Sequence, residues 1–247
     1  TEHPMLRYAN PKRFLDLSAA LLPWLWLAAA GLTLTGLYQA IFVVPPDYQQ
    51  GDTVRIMYVH VPSAWMASFI YGFMFIASVV GLVWKHPLAD AAAKEAAPIG
   101  AMFTAVCLIT GSLWGRPMWG TYWIWDARLT SMLVLLFLYL GYLGVWAAIE
   151  DRAKAARAAA VLCVVGVVNI PIIRFSVEWW DTLHQGPSVL RFEGGKLAPS
   201  IDSSMLWPLL IVGLGCTVLF FALLFVRMRT EIRRRRIRAL LAARAGA

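Results

Sequence analysis

Leu129–Ile149 reads LTSMLVLLFLYLGYLGVWAAI, twenty-one residues without one Asp, Glu, Lys or Arg. A helix needs about 20 mostly apolar residues to cross the hydrocarbon core of a bilayer. No water there can pair an open backbone, so such a run has to be a helix. Working outward, five further stretches qualify: Leu17–Val44, Pro62–Trp84, Ala96–Leu113, Ala158–Ile173 and Leu206–Met228. The expectation is an all-α polytopic membrane protein with six transmembrane helices. Composition agrees. The 247 residues are 60% hydrophobic and 15% charged, with mean hydropathy +0.65, which excludes a disordered chain and argues against a soluble domain.

The connections fall on two sides. One side holds Arg7, Lys12 and Arg13, then Lys85–Glu95, Glu150–Arg157 and the basic end of the chain, with 16 of the 22 Lys and Arg; the other side holds six. Cytoplasmic loops carry the excess of cations, so both termini are expected in the cytoplasm. The whole chain, 1–247, reads as a single membrane domain, with 227–247 as a basic cytoplasmic tail. A positive flank after a span explains that tail without nucleic acid. The opening TEHPMLRYANPKRF lacks a signal peptide's short apolar core, so the first span is expected to stay as an anchor. Pro171, Pro98 and Pro208 are tolerable in a bundle and are expected to kink or start helices. Cys107, Cys163 and Cys216 lie in separate apolar runs, with neither CxxC nor CxxCH spacing, so buried structural thiols are expected.

The outer side carries the unusual chemistry. Just before Leu129, Trp114–Arg128 reads WGRPMWGTYWIWDAR, with four tryptophans, a tyrosine, two arginines and an aspartate. Indole anchors at interfaces because its ring is apolar and its N–H wants a wet partner, but four in one connection exceed anchoring. Trp114, Trp119, Trp123 and Trp125, with Asp126, suit a flat apolar shelf for a planar anionic ligand such as haem. His60, in the first outer loop before Pro62, and His184, in the third, are suitable axial ligands for its iron. The plainer reading, that each is a hydrogen-bonded interfacial imidazole, stays open. Metal binding by the pair plus a carboxylate is a rival that no H-x-x-H or HExxH spacing supports.

Arg55 and Arg128 are candidate propionate partners, since guanidinium binds carboxylate through a two-toothed fork. Arg116 and Arg174 are weaker ones. Arg128 can equally anchor the fourth span or pair with Asp126. Trp179 and Trp180 join the shelf or serve the interfacial belt.

PDYQQG, YVHVPSAW, APIGAMFT, GSLWGRPMWGTYWIWDARLTS, LLFLYLGY, GVVNIPII and SVEWWDTLHQG together resemble CcmC, the haem exporter protein C family, with its tryptophan-rich "WWD" signature. The resemblance runs from about residue 20 to residue 190. It implies a multi-pass protein of the bacterial cell inner membrane that binds haem b on the periplasmic side and delivers it to the haem chaperone CcmE during cytochrome c biogenesis. It also implies an ABC-type complex with CcmA, CcmB and CcmD. The family's axial histidines fall on His60 and His184, and its WWD loop on Trp114 to Asp126. Asp47 and Gln50 are candidate partner-facing residues. No nucleophile or acid–base pair asks for a catalytic label, so the expectation is a delivery subunit and not an enzyme; in this family haem becomes attached to the chaperone's own histidine.

Two other classes compete. A cytochrome b-type quinone oxidoreductase subunit would set its histidines at membrane depth on facing helices. A structural anchor of an ABC-type complex would need neither paired outer histidines nor a dense tryptophan segment.

Overall fold

The computed structural model describes residues 10–186, 189, 192–193, 196–198, 200 and onward to 245. Six helical segments in it are long and apolar enough to cross a membrane. Among the described residues the fold is all-α apart from one antiparallel pair of two-residue strands, Phe192–Glu193 and Lys196–Leu197. An even number of crossings leaves both chain ends on one face.

Most of the helices begin where a side chain satisfies orphan N–H groups of a first turn; those starting at Met57 and Asn169 have no such cap and continue from a preceding turn. Asn10 accepts from the Lys12 N–H to open α1 (Pro11–Tyr38), with proline in the first turn. α1 runs on as a π-helical turn, Gln39–Val43, and stops before Pro45 and Pro46. A 3₁₀ turn, Asp52–Ile56, feeds directly into α2 (Met57–Trp84). His86 accepts from Leu88 to open α3 (Pro87–Trp119), which ends on Gly120 at φ +76°, a left-handed value that suits glycine. Asp126 caps α4 (Ala127–Ala148), and Asp151 caps α5 (Arg152–Gly166).

The fifth span is two helices. α5 stops at Gly166 and α6 (Asn169–Trp179) resumes after a turn at Val167 and Val168. Pro171 has no N–H for the Val167 carbonyl, and its ring crowds that carbonyl. Ile170 N–H takes the carbonyl instead, at 3.0 Å. The last helix, α7 (Ser203–Ala245), has 43 residues and is about 65 Å long at 1.5 Å per residue. It overshoots the roughly 30 Å core of a bilayer on the face of the chain ends. The segment read as a tail is therefore continuous with the sixth span, and its start is tied to the bundle: Arg227 bonds Glu95, and Arg229 bonds Ser18.

α2 lies at the centre, packed against α3, α5 and α7. The core is built from Ile70, Tyr71, Met74, Leu135, Tyr139 and Phe220. Tyr139 donates to the Ala67 carbonyl at 2.7 Å, which pairs its hydroxyl inside the core. α1 packs chiefly on α7, where Gly36 meets Val212 and Gly215 meets Thr33; small residues allow the backbones this close.

Candidate functional site

On the face away from the chain ends, α2, α3, α4 and the segment after α6 converge. His60 is in the first turn of α2, two residues before Pro62. The sequence placed it in the preceding loop because Pro62 reads as a helix start, but the helix begins at Met57 and takes Pro62 into its second turn. Its Nδ1 lies 3.0 Å from the Cys107 carbonyl and 3.2 Å from the Thr110 hydroxyl, both on α3. The carbonyl can only accept, so Nδ1 carries the proton and Nε2 keeps its lone pair. Gly111 makes room for this: a Cβ there would sit 2.9 Å from His60 Cε1.

His184 is prepared in the same way by a different partner. Its Nδ1 donates to Asp126 Oδ2 at 2.8 Å, while Asp126 Oδ1 accepts from the Leu129 N–H at 2.7 Å and caps α4. One carboxylate thus starts a helix and fixes an imidazole 58 residues further along the chain. Its backbone N–H is held by Thr182 Oγ1 at 2.8 Å. Burial pushes the His184 pKa below its ordinary value, and the hydrogen bond and charge of Asp126 pull it partly back. His60 lies within electrostatic reach of both His184 and Arg128.

α3 reaches further than its apolar run, so Trp114 and Trp119 are helical and only 120–126 is loop. Trp114 meets the His60 ring edge-on at 5.7 Å between centroids, and Trp119 meets His184 at 4.8 Å. Trp123 packs on Trp125 at 5.4 Å, and its indole Nε1 is buried with no partner among the described residues. Trp125 is 76% exposed, and Trp179 and Trp180 are also exposed. The expected shelf therefore divides into indoles turned onto the imidazoles and indoles turned outward.

Two imidazoles, each with Nδ1 held by a neighbouring acceptor and Nε2 left basic, match histidines oriented for metal ligation. Among the described residues no three His, Cys, Asp or Glu gather into a metal-binding group. Two such nitrogen donors would suit a ligand that carries the remaining donors of its metal with it.

Residues 4–243 match the family described as Heme exporter protein C. The chain is 57% identical to Heme exporter protein C of Bradyrhizobium diazoefficiens, over 96% of this chain and 88% of that protein. It is 47% identical to the Paracoccus denitrificans protein of the same name, over 95% and 96%, and 46% identical to that of Escherichia coli strain K12, over 91% and 89%.

The chain belongs to the heme exporter protein C family.

Several residues that their chemistry made candidates for ligand or partner contacts are engaged within the chain itself. Arg55 pairs with Asp52 at 3.0 Å, and its Nη1 donates to the carbonyls of Ala40 and Ile41 at 2.7 and 2.5 Å. It thereby closes the π-helical end of α1, whose last carbonyls lack helical partners. Arg128 donates through Nε to Ser176 Oγ at 3.2 Å and through Nη2 to the Ile173 carbonyl at 3.3 Å, which pins α6 to α4. Arg116 caps its own helix at Gly120 and lies over Tyr122, and Arg174 pairs with Glu178. Gln50 turns inward and accepts from Trp114 Nε1 at 3.0 Å. Asp47 accepts from the N–H groups of Gln49 and Gln50, forming the turn that presents Tyr48, 91% exposed, at the tip of the loop. Tyr48, Thr110 and Gly111 carry no motif signal of their own in the sequence, and Cys107 reads there only as a buried thiol. Only the sequence APIGAMFTAVCLITGSLWG hints at the last three, as small and polar residues on an otherwise apolar helix.

Proposed function

We propose that this chain holds haem b on the periplasmic face of the bacterial inner membrane and presents it to the haem chaperone CcmE, within a complex with CcmA, CcmB and CcmD. Both chain ends are then cytoplasmic, as the cation distribution favours. The reading rests on one observation above the rest: His60 and His184 come from different elements, and each has its Nδ1 tied, which leaves the Nε2 lone pair available to a metal. The relatives' printed name, Heme exporter protein C, supports the same ligand.

When bound, haem would supply the iron for these two nitrogens and the vinyl group at which the chaperone's histidine attaches. The chain's own residues hold and orient. Cys107 and Asp126 fix the imidazole tautomers, and Trp114 and Trp119 brace the rings. Holding one reactant in register lowers a bimolecular barrier by up to roughly 7–11 kcal/mol in favourable cases. A delivery subunit needs no nucleophile of its own.

Visible spectra of the purified protein loaded with haem test the reading. The wild type is expected to be six-coordinate and low-spin, and His60→Ala and His184→Ala each to lose that signature while retaining some haem through the indoles. An unchanged spectrum in both variants would overturn the bis-histidine site.

A further inference from the structure

On the face that carries the chain ends, one carboxylate gathers four cations. Glu231 of α7 is 2% exposed, and Lys94 of α3, Arg152 at the start of α5, and Arg235 and Arg238 of α7 lie 3.4, 3.9, 3.0 and 3.5 Å from it. Glu95 takes Arg227 at 2.9 Å and Lys94 at 3.7 Å. With Asp90 nearby, five cations face three carboxylates, and the cluster stays positive. Arg152 and Arg238 have side chains 55% and 43% exposed, and they approach Glu231 at distances beyond the roughly 2.7–2.9 Å of a charge-assisted hydrogen bond. Their forks are not saturated by that carboxylate.

Arg152, Arg235 and Arg238 line an open cleft of about 470 Å³ whose other walls include Asp90 and Trp146. Across Ala153 a second cleft, about 630 Å³, runs from Asp151, which faces Lys154 at 3.9 Å, and Arg157 to Ala158 and Val161. The sequence of environments is informative. Guanidinium groups stand where α4 ends and α5 begins, and apolar side chains follow one to two turns into the span. A phosphate above and an acyl chain below match that order, and basic pockets between membrane helices on the cytoplasmic side commonly take anionic headgroups.

We propose that the paired clefts around the start of α5 bind the phosphodiester of an anionic membrane phospholipid of the phosphatidylglycerol or cardiolipin class. Arg152 and Arg238 grip the phosphate by bidentate hydrogen bonds, and the lipid bridges α5 to α7. This site is at the opposite face from the histidines and does not depend on the reading of that site.

The test is lipid retention by the full chain, purified in neutral detergent and followed by native mass spectrometry and thermal melting. Wild type is expected to retain phosphatidylglycerol over zwitterionic phosphatidylcholine and to melt higher with it. Arg152→Gln/Arg238→Gln is expected to retain it roughly 10- to 30-fold less well, as the loss of two surface cations implies. Arg152→Gln alone serves if the double variant expresses poorly, with a smaller loss. Arg233→Gln/Arg236→Gln removes equal charge from residues that line neither cleft, and should retain lipid as wild type does. An equal loss in that control would mean diffuse charge attraction and overturn the site. So would wild type that ignores lipid charge. Inorganic phosphate that reproduces the melting shift and displaces the lipid would make this a free-phosphate site and overturn the lipid assignment.

Discussion

His60 and His184 reach the same chemical state through unrelated partners, a main-chain carbonyl on α3 and the cap of α4. The histidines themselves were legible in the sequence, being two of four and both on the outer side. Their partners were not, because residues 47 and 58 positions apart meet only through the packing of α2, α3 and α4. Asp126→Asn keeps a side-chain oxygen for the helix cap but loses the charged acceptor for Nδ1–H. Haem retention should fall about 10–100-fold, the usual cost of removing a second-shell partner. The direction of titration is fixed as well. Asp126 raises the His184 pKa against burial, so its loss lets the pKa fall further and His184 stays neutral to lower pH. Imidazole NMR of the ligand-free variant should show that fall; a rise would contradict the pairing. Gly111→Ala offers an independent check, because its Cβ would press on the His60 ring at 2.9 Å. The low-spin signature should weaken in that variant with His184 untouched, and a wild-type spectrum would mean that His60 has room to spare.

The six spans could be read from the sequence because apolar length alone sets them. Their ends could not, since caps and polar turns extend the helices past the apolar runs. α3 is the case that matters, for its extra turns carry Trp114 and Trp119 onto the histidines while Trp125 stays in the loop. Trp119→Ala should therefore lower the haem-to-protein ratio, with an edge-on ring contact worth about 0.5–1.5 kcal/mol removed. Trp125→Ala should leave the ratio near wild type. Equal effects would favour a uniform interfacial belt. Arg128 also acts between elements. Its fork joins Ser176 and the Ile173 carbonyl, a job that one lysine head does poorly. Arg128→Lys should loosen α6 and reduce haem retention, and Arg128→Gln should do so more. The readout separating this from a direct propionate contact is limited proteolysis without haem: a strut predicts faster cleavage beyond Trp179 in both variants, and a pure ligand contact predicts none.

At the scale of the whole molecule, the site and the excess of cations occupy opposite faces, and the number of crossings forces that separation. The Trp-rich connection, the Tyr48 turn and His184 share the face away from the chain ends, while the arginine-rich stretch of α7 extends from the other. Cytoplasmic loops retain Lys and Arg, so the arginine face should be inside and the histidine face outside. Two single cysteines decide it in a background where Cys107, Cys163 and Cys216 are replaced. Tyr48→Cys sits at the most exposed aromatic of the outer turn, and Ala239→Cys lies on an exposed stretch of α7. With a membrane-impermeant maleimide on intact cells, Tyr48→Cys should label at once and Ala239→Cys only after the membrane is opened. The reverse pattern would invert the molecule and place the paired imidazoles in the cytoplasm, where they could not present haem to a periplasmic chaperone. Labelling of both in intact cells would mean an odd number of crossings, and the break at Val167–Val168 would then be the first place to look for a span that turns back.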